Sequence, residues 1–322
     1  MKTGKRLLPL LLILALLLSG CAGYGSDSRE RHKVWLVAKS TNTEFWLSVF
    51  AGANAAATEY NLSLTICGPE TEEDYEQQND YIRQAVEDGA EAIVFSAISY
   101  TENAAAIDAA ADAGVRIVVI DSDVDSRKVS ARIGTDNLQA GRMTAAAVLD
   151  TEQETLSVGI VNFDLGSRNG QEREMGLREL LQEDARVESI ATVNVAATPS
   201  AAQTGVEILL AAHPEINVLV GLNEPLAVGV AEAVERLGLQ GQVRVVGFDT
   251  NVRCIDLMRT GVVSALIVQN PYAMGYLGAE AALRLLEGER YDAAVWIDTA
   301  TAIADRENMF TQESQKLLFP LG

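Results

Sequence analysis

The feature that most restricts the fold of this chain is a regular alternation of short apolar runs with alanine-rich segments. Four such runs begin at Val34, Leu62, Glu91 and Arg116. Each starts 25 to 29 residues after the one before it, which is the length of one strand–helix–strand step. The runs are apolar on both faces, as strands of a parallel sheet are when helices cover both sides. The pattern predicts a doubly wound α/β unit.

The same pattern starts again in the second half of the chain. Its runs begin at Leu156, Val187, Ile216 and Val243, at intervals of 27 to 31 residues. A chain of 322 residues is long enough for two domains of about 150 residues each. We therefore predict an α/β fold of two doubly wound, Rossmann-like lobes, with a ligand cleft where the carboxyl ends of the strands face each other.

Charge and motif content exclude several classes of function. Asp and Glu number 45 against 25 Lys and Arg, a formal charge of −20, and so acidic a surface repels nucleic acid. The sequence has no G-x-G-x-x-G after a strand, no Walker A motif and no G-x-S-x-G motif. Its two histidines, His32 and His213, suit neither a catalytic triad nor a metal site. We expect no enzyme activity, no cofactor and no metal.

The N-terminus is typical of an exported lipoprotein. A basic stretch precedes an aliphatic run over 7–18, which is shorter than the roughly 20 residues that span a bilayer. The run leads into Leu-Ser-Gly-Cys21, which looks like a bacterial lipobox. We predict a signal peptide over 1–20, lipidation of Cys21, a polar tether over 21–32 and a location on the extracytoplasmic face of the cell membrane. The alternative is a chance cysteine beside an ordinary cleavage site.

Polar and aromatic side chains follow the strands of both predicted lobes. In chain order they are Lys39, Phe45, Trp46, Asp121, Asn137, Arg173, Asn223, Asp249 and Gln269. Planar polar side chains form several hydrogen bonds with sugar hydroxyls, and aromatic rings cover the C–H face of a sugar. The segments KSTNTEFW, GLNEPLAVG, VVGFDT and VQNPYAMGYLG, together with the lipobox, resemble the type I periplasmic sugar-binding proteins of ABC transporters. The resemblance extends over roughly 33–306.

The resemblance implies that these nine side chains bind a small sugar between the lobes. Each has a plainer interpretation. Phe45 and Trp46 fit the core of a helix N-terminus as well as a stacking platform. Asp121 fits a turn or helix cap, Arg173 fits a solvated helix face, and Asn137 fits a cap at the hinge.

Four residues depart from the ribose-binding pattern, so the set of recognition residues is not that of a ribose protein. Lys39 replaces a small hydroxyl residue, Thr43 an asparagine, Ser122 an arginine and Ala197 an aromatic residue. For Lys39 we favour donation to a neutral sugar. The alternatives are recognition of an acidic sugar, an ion pair with Asp121, or a surface pair with Glu44.

We also predict where the chain crosses between the lobes. The crossings are expected near Thr135, Gln269 and Ala294. The first lobe would comprise 33–135 with 270–294, and the second 136–269 with 295–322. Cys67 and Cys254 then fall in different lobes, where two free thiols are favoured over a disulfide.

The function implied is that of a monomeric, membrane-anchored binding protein. It would capture a small sugar by hinge closure and deliver it to an ABC permease. The alternative is a sensor of the same fold that reports to a membrane histidine kinase or chemoreceptor.

Overall fold

A computed structural model describes residues 31–163 and 165–319, in which two six-stranded sheets form two lobes. The strands of the first sheet are β1 (Lys33–Val37), β2 (Ser63–Cys67), β3 (Ala92–Phe95), β4 (Arg116–Ile120), β5 (Ala131–Gly134) and β11 (Trp296–Asp298). They lie in the order β11-β5-β4-β3-β1-β2, and all are parallel. The helices of this lobe are α1 (Glu44–Glu59), α2 (Tyr75–Glu87), α3 (Ala104–Asp112) and α9 (Pro271–Leu286).

The second lobe repeats this plan. Its strands are β6 (Leu156–Asn162), β7 (Val187–Asn194), β8 (Val218–Gly221), β9 (Arg244–Phe248), β10 (Ala265–Val268) and β12 (Ala302–Asp305), in the order β12-β10-β9-β8-β6-β7. Only β12 runs antiparallel to its neighbour in this sheet as described. Its helices are α4 (Asn137–Leu149), α5 (Arg168–Leu181), α6 (Pro199–Ala212), α7 (Glu224–Arg236), α8 (Val252–Thr260) and α10 (Gln312–Leu318). The predicted doubly wound α/β fold is confirmed.

The central strands are buried on both faces, which explains their continuous apolar sequences. Every residue of β3 and of β6 is buried, because helices cover both sides of each sheet. Branched side chains such as Ile93, Val94, Val158 and Ile160 fill these layers.

Polar side chains begin the helices that follow the strands. The side chain of Thr43 accepts a hydrogen bond from the amide of Trp46 at the start of α1, and Asn223 accepts one from Leu226 at the start of α7. These bonds satisfy backbone amides that have no partner within the helix. The helix N-termini therefore lie beside the carboxyl ends of the strands, at the edge where a ligand is expected.

The chain crosses between the lobes after β5, β10 and β11, and the third crossing corrects the prediction. We expected it near Ala294, with everything from 295 onward in the second lobe. Instead Trp296–Asp298 pairs in parallel with β5 of the first sheet, and the chain crosses between Asp298 and Ala302. A strand of three residues is too short to show a period, so only its pairing reveals its lobe.

The predicted signal peptide, the lipidation site Cys21 and nearly all of the tether lie outside the described residues. Within 31–163 and 165–319, no helix has the length and apolar character needed to cross a bilayer. Cys67 lies on β2 and Cys254 on α8, and both are free thiols. Burial raises the pKa of the Cys67 thiol to about 12 and also raises that of Cys254, so neither is a reactive thiolate near neutral pH.

Candidate ligand-binding site

A polar cavity lies between the lobes, at the carboxyl ends of their strands. Its cavity volume is about 20 Å³. Eight of the nine predicted residues line it, namely Lys39, Phe45, Trp46, Asp121, Arg173, Asn223, Asp249 and Gln269. The side chains that sequence reasoning missed are Glu72, Phe163, Asn169, Glu224 and Pro225. The cleft expected from the strand pattern is therefore present and is lined from both lobes.

Asp121 and Asp249 occupy equivalent places at this cavity. Each directly follows a central strand, and each adopts a left-handed backbone conformation, with φ of 56° and 65° respectively. Their amides donate to strand carbonyls, Asp121 to Ile133 at 3.1 Å and Asp249 to Ile267 at 2.7 Å. Asp tolerates this region better than most residues, but it is still uncommon there. Such conformations are frequent at ligand sites, where the surrounding structure holds them.

Arg173 is the central cation of the cavity and is only 1% exposed. Its guanidinium donates to the Asn137 side chain at 2.9 Å, the Leu222 carbonyl at 2.9 Å and the Gln269 side chain at 3.0 Å. It also stacks on the Phe248 ring at 3.9 Å. A guanidinium has five N–H donors, so this network fixes the plane and leaves donors for a ligand. The plainer interpretation of Arg173, on a solvated helix face, is wrong.

Asn137 and Gln269 support the cavity in different ways. Asn137 is absent from the lining and instead lies behind Arg173, whose Nε it binds. The resemblance placed Asn137 in the ligand set, and the alternative of a hinge cap is wrong, because the cap of α4 is Asp136. Gln269 lines the cavity and bridges its charges, accepting from Arg173 and donating to Asp249 at 2.6 Å. Both residues therefore position charged neighbours.

Lys39 is buried and has a partner that the sequence did not indicate. Its Nζ lies 3.0 Å from a carboxylate oxygen of Glu72 and donates to the Ser167 hydroxyl at 3.1 Å. It also lies 5.0 Å from the centre of the Phe163 ring. The alternatives of an ion pair with Asp121 or with Glu44 are therefore wrong. The lysine charge is largely neutralised before any ligand arrives.

The aromatic residues form two walls of the cavity. Phe45 and Trp46 meet edge to face, with ring centres 5.2 Å apart. The indole N–H of Trp46 donates to Glu72 at 3.0 Å, which fixes the ring. On the opposite lobe Phe163 supplies an aromatic ring, so the small residue Ala197 does not leave the second lobe without one.

Acidic side chains from each lobe reach the helix N-termini of the other. Glu224 of the second lobe accepts from the amide of Phe45 in α1 at 2.9 Å. Glu44 of α1 accepts from the amide of Val252, the first residue of α8, at 3.3 Å. Further bridges across the cleft are Lys39 to Ser167, Asn169 to Asp121 and Ala197 to Glu73. The structure therefore shows the closed form of the cleft.

Burial dominates the electrostatics of the cavity. It raises the pKa of Asp249 to about 7, against the opposing effects of the Arg173 guanidinium and the hydrogen bond from Gln269. Burial also raises the pKa of Glu224, although hydrogen bonds from Asn251 and from the start of α1 oppose this. It lowers the pKa of Arg173, against the attraction of Asp249 and Asp121. These directions follow from the cost of a charge in a poorly solvated site.

Two of the missed residues follow from the same strand-end rule that found the others. Phe163 comes directly after β6, and Glu72 lies in the loop after β2. Applied to these two strands, the rule would have indicated both. Asn169 and Glu224 lie in the first turns of α5 and α7, and nothing in the sequence marks them as facing the opposite lobe.

The arrangement is a set of oriented hydrogen-bonding groups that suits a polar molecule. In the described part of the chain, no group of three or more His, Cys, Asp or Glu residues is placed to hold a metal. Two lobes, three crossings and a cavity of fixed hydrogen-bonding groups define a protein that closes around a small polar ligand.

Comparisons with known proteins agree with this class. The family model for the periplasmic binding protein domain matches residues 34–290, and the chain belongs to this family. The ribose import binding protein of Bacillus subtilis is 24% identical over 270 residues, which are 84% of this chain and 87% of that protein.

Two solved structures share the fold over nearly their whole length. A carbohydrate transporter solute-binding protein from Agrobacterium radiobacter, in complex with D-arabinose, has a TM-score of 0.86 at 26% identity, over 90% of this chain and 100% of that one. A sugar transporter structure from Clostridium phytofermentans has a TM-score of 0.78 at 30% identity, over 86% of this chain and 100% of that one. The relatives are transport binding proteins, which confirms the prediction that the chain is not an enzyme.

Proposed function

We propose that this chain is an extracytoplasmic lipoprotein that captures a small sugar between its lobes and delivers it to an ABC permease. The observation that carries the proposal is the cavity itself. Carboxylate, amide and guanidinium groups from both lobes converge there with aromatic rings, a combination that suits hydroxyl groups and a C–H face. The relatives named for ribose and bound to D-arabinose support the same class of ligand.

The proposed ligand contacts divide between the lobes. Asp121 accepts from sugar hydroxyls in the first lobe, where Phe45 and Trp46 supply the apolar wall. In the second lobe Arg173 donates hydrogen bonds to the sugar through the guanidinium N–H groups that its protein partners do not use. Asn223 uses its side-chain oxygen to cap α7, which leaves its amide N–H groups for the ligand. Closure of the lobes brings the ligand contacts of both lobes onto one sugar molecule. The permease then binds the closed form of the protein.

Titration calorimetry with a panel of pentoses and hexoses tests sugar capture. We expect at least one sugar to bind, and Asp121→Asn to weaken that binding by about 5- to 150-fold, the effect of disturbing one buried hydrogen bond of about 1–3 kcal/mol. Asp123→Asn is the matched control, because Asp123 pairs with Arg132 outside the cavity lining. Failure of the whole panel to bind, or equal losses in the two variants, would count against the proposal.

The membrane anchor is tested separately, through Cys21. Cys21→Ala should release the protein from the membrane fraction or leave the precursor uncleaved, because the thiol carries the lipid that holds the chain there. Fractionation of cells that express the variant measures this, and Cys67→Ala is the control that removes a thiol elsewhere. Normal processing with unchanged membrane association of Cys21→Ala would refute lipidation at this residue.

A further inference from the structure

The cavity contains more acids than bases. Its charged lining comprises the carboxylates Glu72, Asp121, Glu224 and Asp249 and the cations Lys39 and Arg173. A buried charge without compensation is costly, so each of the four acids should have a partner in the bound state.

Two of the acids form ion pairs with the two cations. Glu72 pairs with Lys39 at 3.0 Å. Asp121 lies 3.9 Å from Arg173, and its two oxygens accept from Ser96 at 2.9 Å and from Asn169 at 3.1 Å. These bonds use both oxygens of Asp121, and the charge of Arg173 also attracts Asp249.

Glu224 is compensated by backbone and amide groups. One oxygen accepts from the Asn251 side chain at 2.8 Å and the other from the amide of Phe45 at 2.9 Å. The second bond is made at the N-terminus of α1, where the helix dipole favours a negative charge. Glu224 is therefore held without a cation.

Asp249 has the fewest direct partners of the four acids in the described structure, since it forms no ion pair there and accepts one side-chain hydrogen bond. It is 6% exposed and lines the cavity. Its Oδ1 accepts from Gln269 at 2.6 Å, whereas Oδ2 accepts no hydrogen bond from any residue between 31 and 319 that the structure describes. Burial raises the pKa of Asp249, and the attraction of the Arg173 guanidinium offsets this only in part. A ligand is the natural source of the missing partner.

We propose that the sugar bound in this cavity carries a protonated amino group, which donates to Oδ2 of Asp249. This inference rests on the proposed function, since it specifies the ligand of the same cleft. An ammonium group would offset one of the two excess negative charges and would donate a charge-assisted hydrogen bond to Oδ2. An acidic sugar would add a negative charge to a cavity that already has too many. The pairing of Lys39 with Glu72 removes the reason for expecting an acidic ligand.

Matched sugars test the charge of the ligand. Calorimetric titration would compare glucosamine, glucose and glucuronate, and likewise galactosamine, galactose and galacturonate. We expect the amino sugar of a series to bind about 10- to 150-fold more tightly than its neutral parent, the effect of one charged hydrogen bond, and the acid to bind least. The N-acetylated sugars keep the nitrogen without its charge and should lose this advantage.

The variant Asp249→Asn tests whether Asp249 is the source of the preference for the amino sugar. The amide is isosteric, and the variant should bind the amino sugar and its neutral parent with similar affinity. Asp121→Asn, which removes an already partnered carboxylate, should keep most of the preference for the amine. A neutral parent that binds wild type as tightly as the amino sugar would overturn this inference and leave sugar capture intact. Absence of binding by every sugar would instead contradict the proposed function, and this inference with it.

Discussion

The two lobes place an aspartate at the same point, directly after a central strand and in a left-handed conformation, yet they hold it differently. Asp121 of the first lobe has both carboxylate oxygens occupied, by Ser96 and Asn169. Asp249 of the second lobe has one oxygen occupied, by Gln269, in the described structure. Repetition of the fold therefore repeats the position of the residue and not its chemical environment.

The difference extends to the neighbouring cations. In the first lobe Lys39 is already neutralised by Glu72, so this wall presents a fixed and balanced surface. In the second lobe Arg173 is oriented by neutral oxygens of Asn137, Leu222 and Gln269. Its charge is less directly compensated, and donors remain for a ligand. The second lobe therefore contributes most of the unsatisfied hydrogen-bonding capacity of the cavity.

The largest expected effect distinguishes the two aspartates by pH. The pKa of Asp249 is about 7 in the folded chain, against about 3.9 when unfolded. The folded state therefore binds the extra proton, and ionisation of Asp249 lowers the free energy of unfolding as pH rises from about 4 to 7. A pKa difference of about three corresponds to roughly 4 kcal/mol. Asp249→Asn should lack this loss of stability. The free energy of unfolding of the variant, relative to that of wild type, should therefore be higher at pH 8 than at pH 5.

Urea denaturation of the ligand-free protein at the two pH values measures the effect. Asp121→Asn is the control, because it leaves Asp249 in place among Arg173, Glu224 and Gln269 and should keep most of the wild-type pH dependence. If Asp249→Asn and wild type changed in parallel between pH 5 and pH 8, the environment we assign to Asp249 would be wrong.

A smaller effect is expected at the glycines through which each lobe packs its helices. Gly52 lets α1 approach α9, and Gly141 lets α4 approach α5; an added Cβ would overlap the carbonyl of Tyr272 or of Arg173, respectively. Overpacking of this kind costs about 1–3 kcal/mol, so Gly52→Ala and Gly141→Ala should destabilise the protein comparably. Only Gly141→Ala should also weaken ligand binding, by about tenfold, because it displaces Arg173 and misaligns a hydrogen bond.

Thermal denaturation and calorimetric titration of the same two variants separate these effects. Gly52→Ala is the matched control for stability, since Tyr272 does not line the cavity. Equal loss of affinity in both would mean that binding depends on overall stability and not on the position of Arg173.

Much of the site was predictable because the sequence pattern shows where each buried strand ends. A continuous apolar run marks a buried strand, and the polar residue after it lies at the edge where parallel strands meet the cleft. Asp121, Asn223 and Asp249 were found in this way. Glu72 and Phe163 obey the same rule after β2 and β6, so they were available to sequence reasoning although it did not select them.

The remaining features depend on contacts between distant parts of the chain. The pairing of Lys39 with Glu72, the place of Asn137 behind Arg173 and the reach of Glu224 to α1 join residues that no local pattern connects. The third crossing was misplaced for a related reason, since a three-residue strand belongs to the sheet it pairs with. The sequence by itself determined two α/β lobes and the residues at their strand ends, because burial of each strand leaves a local period. Which of those residues became partners was decided only by tertiary structure, because hydrogen bonds and ion pairs form between groups that closure of the two lobes brings together.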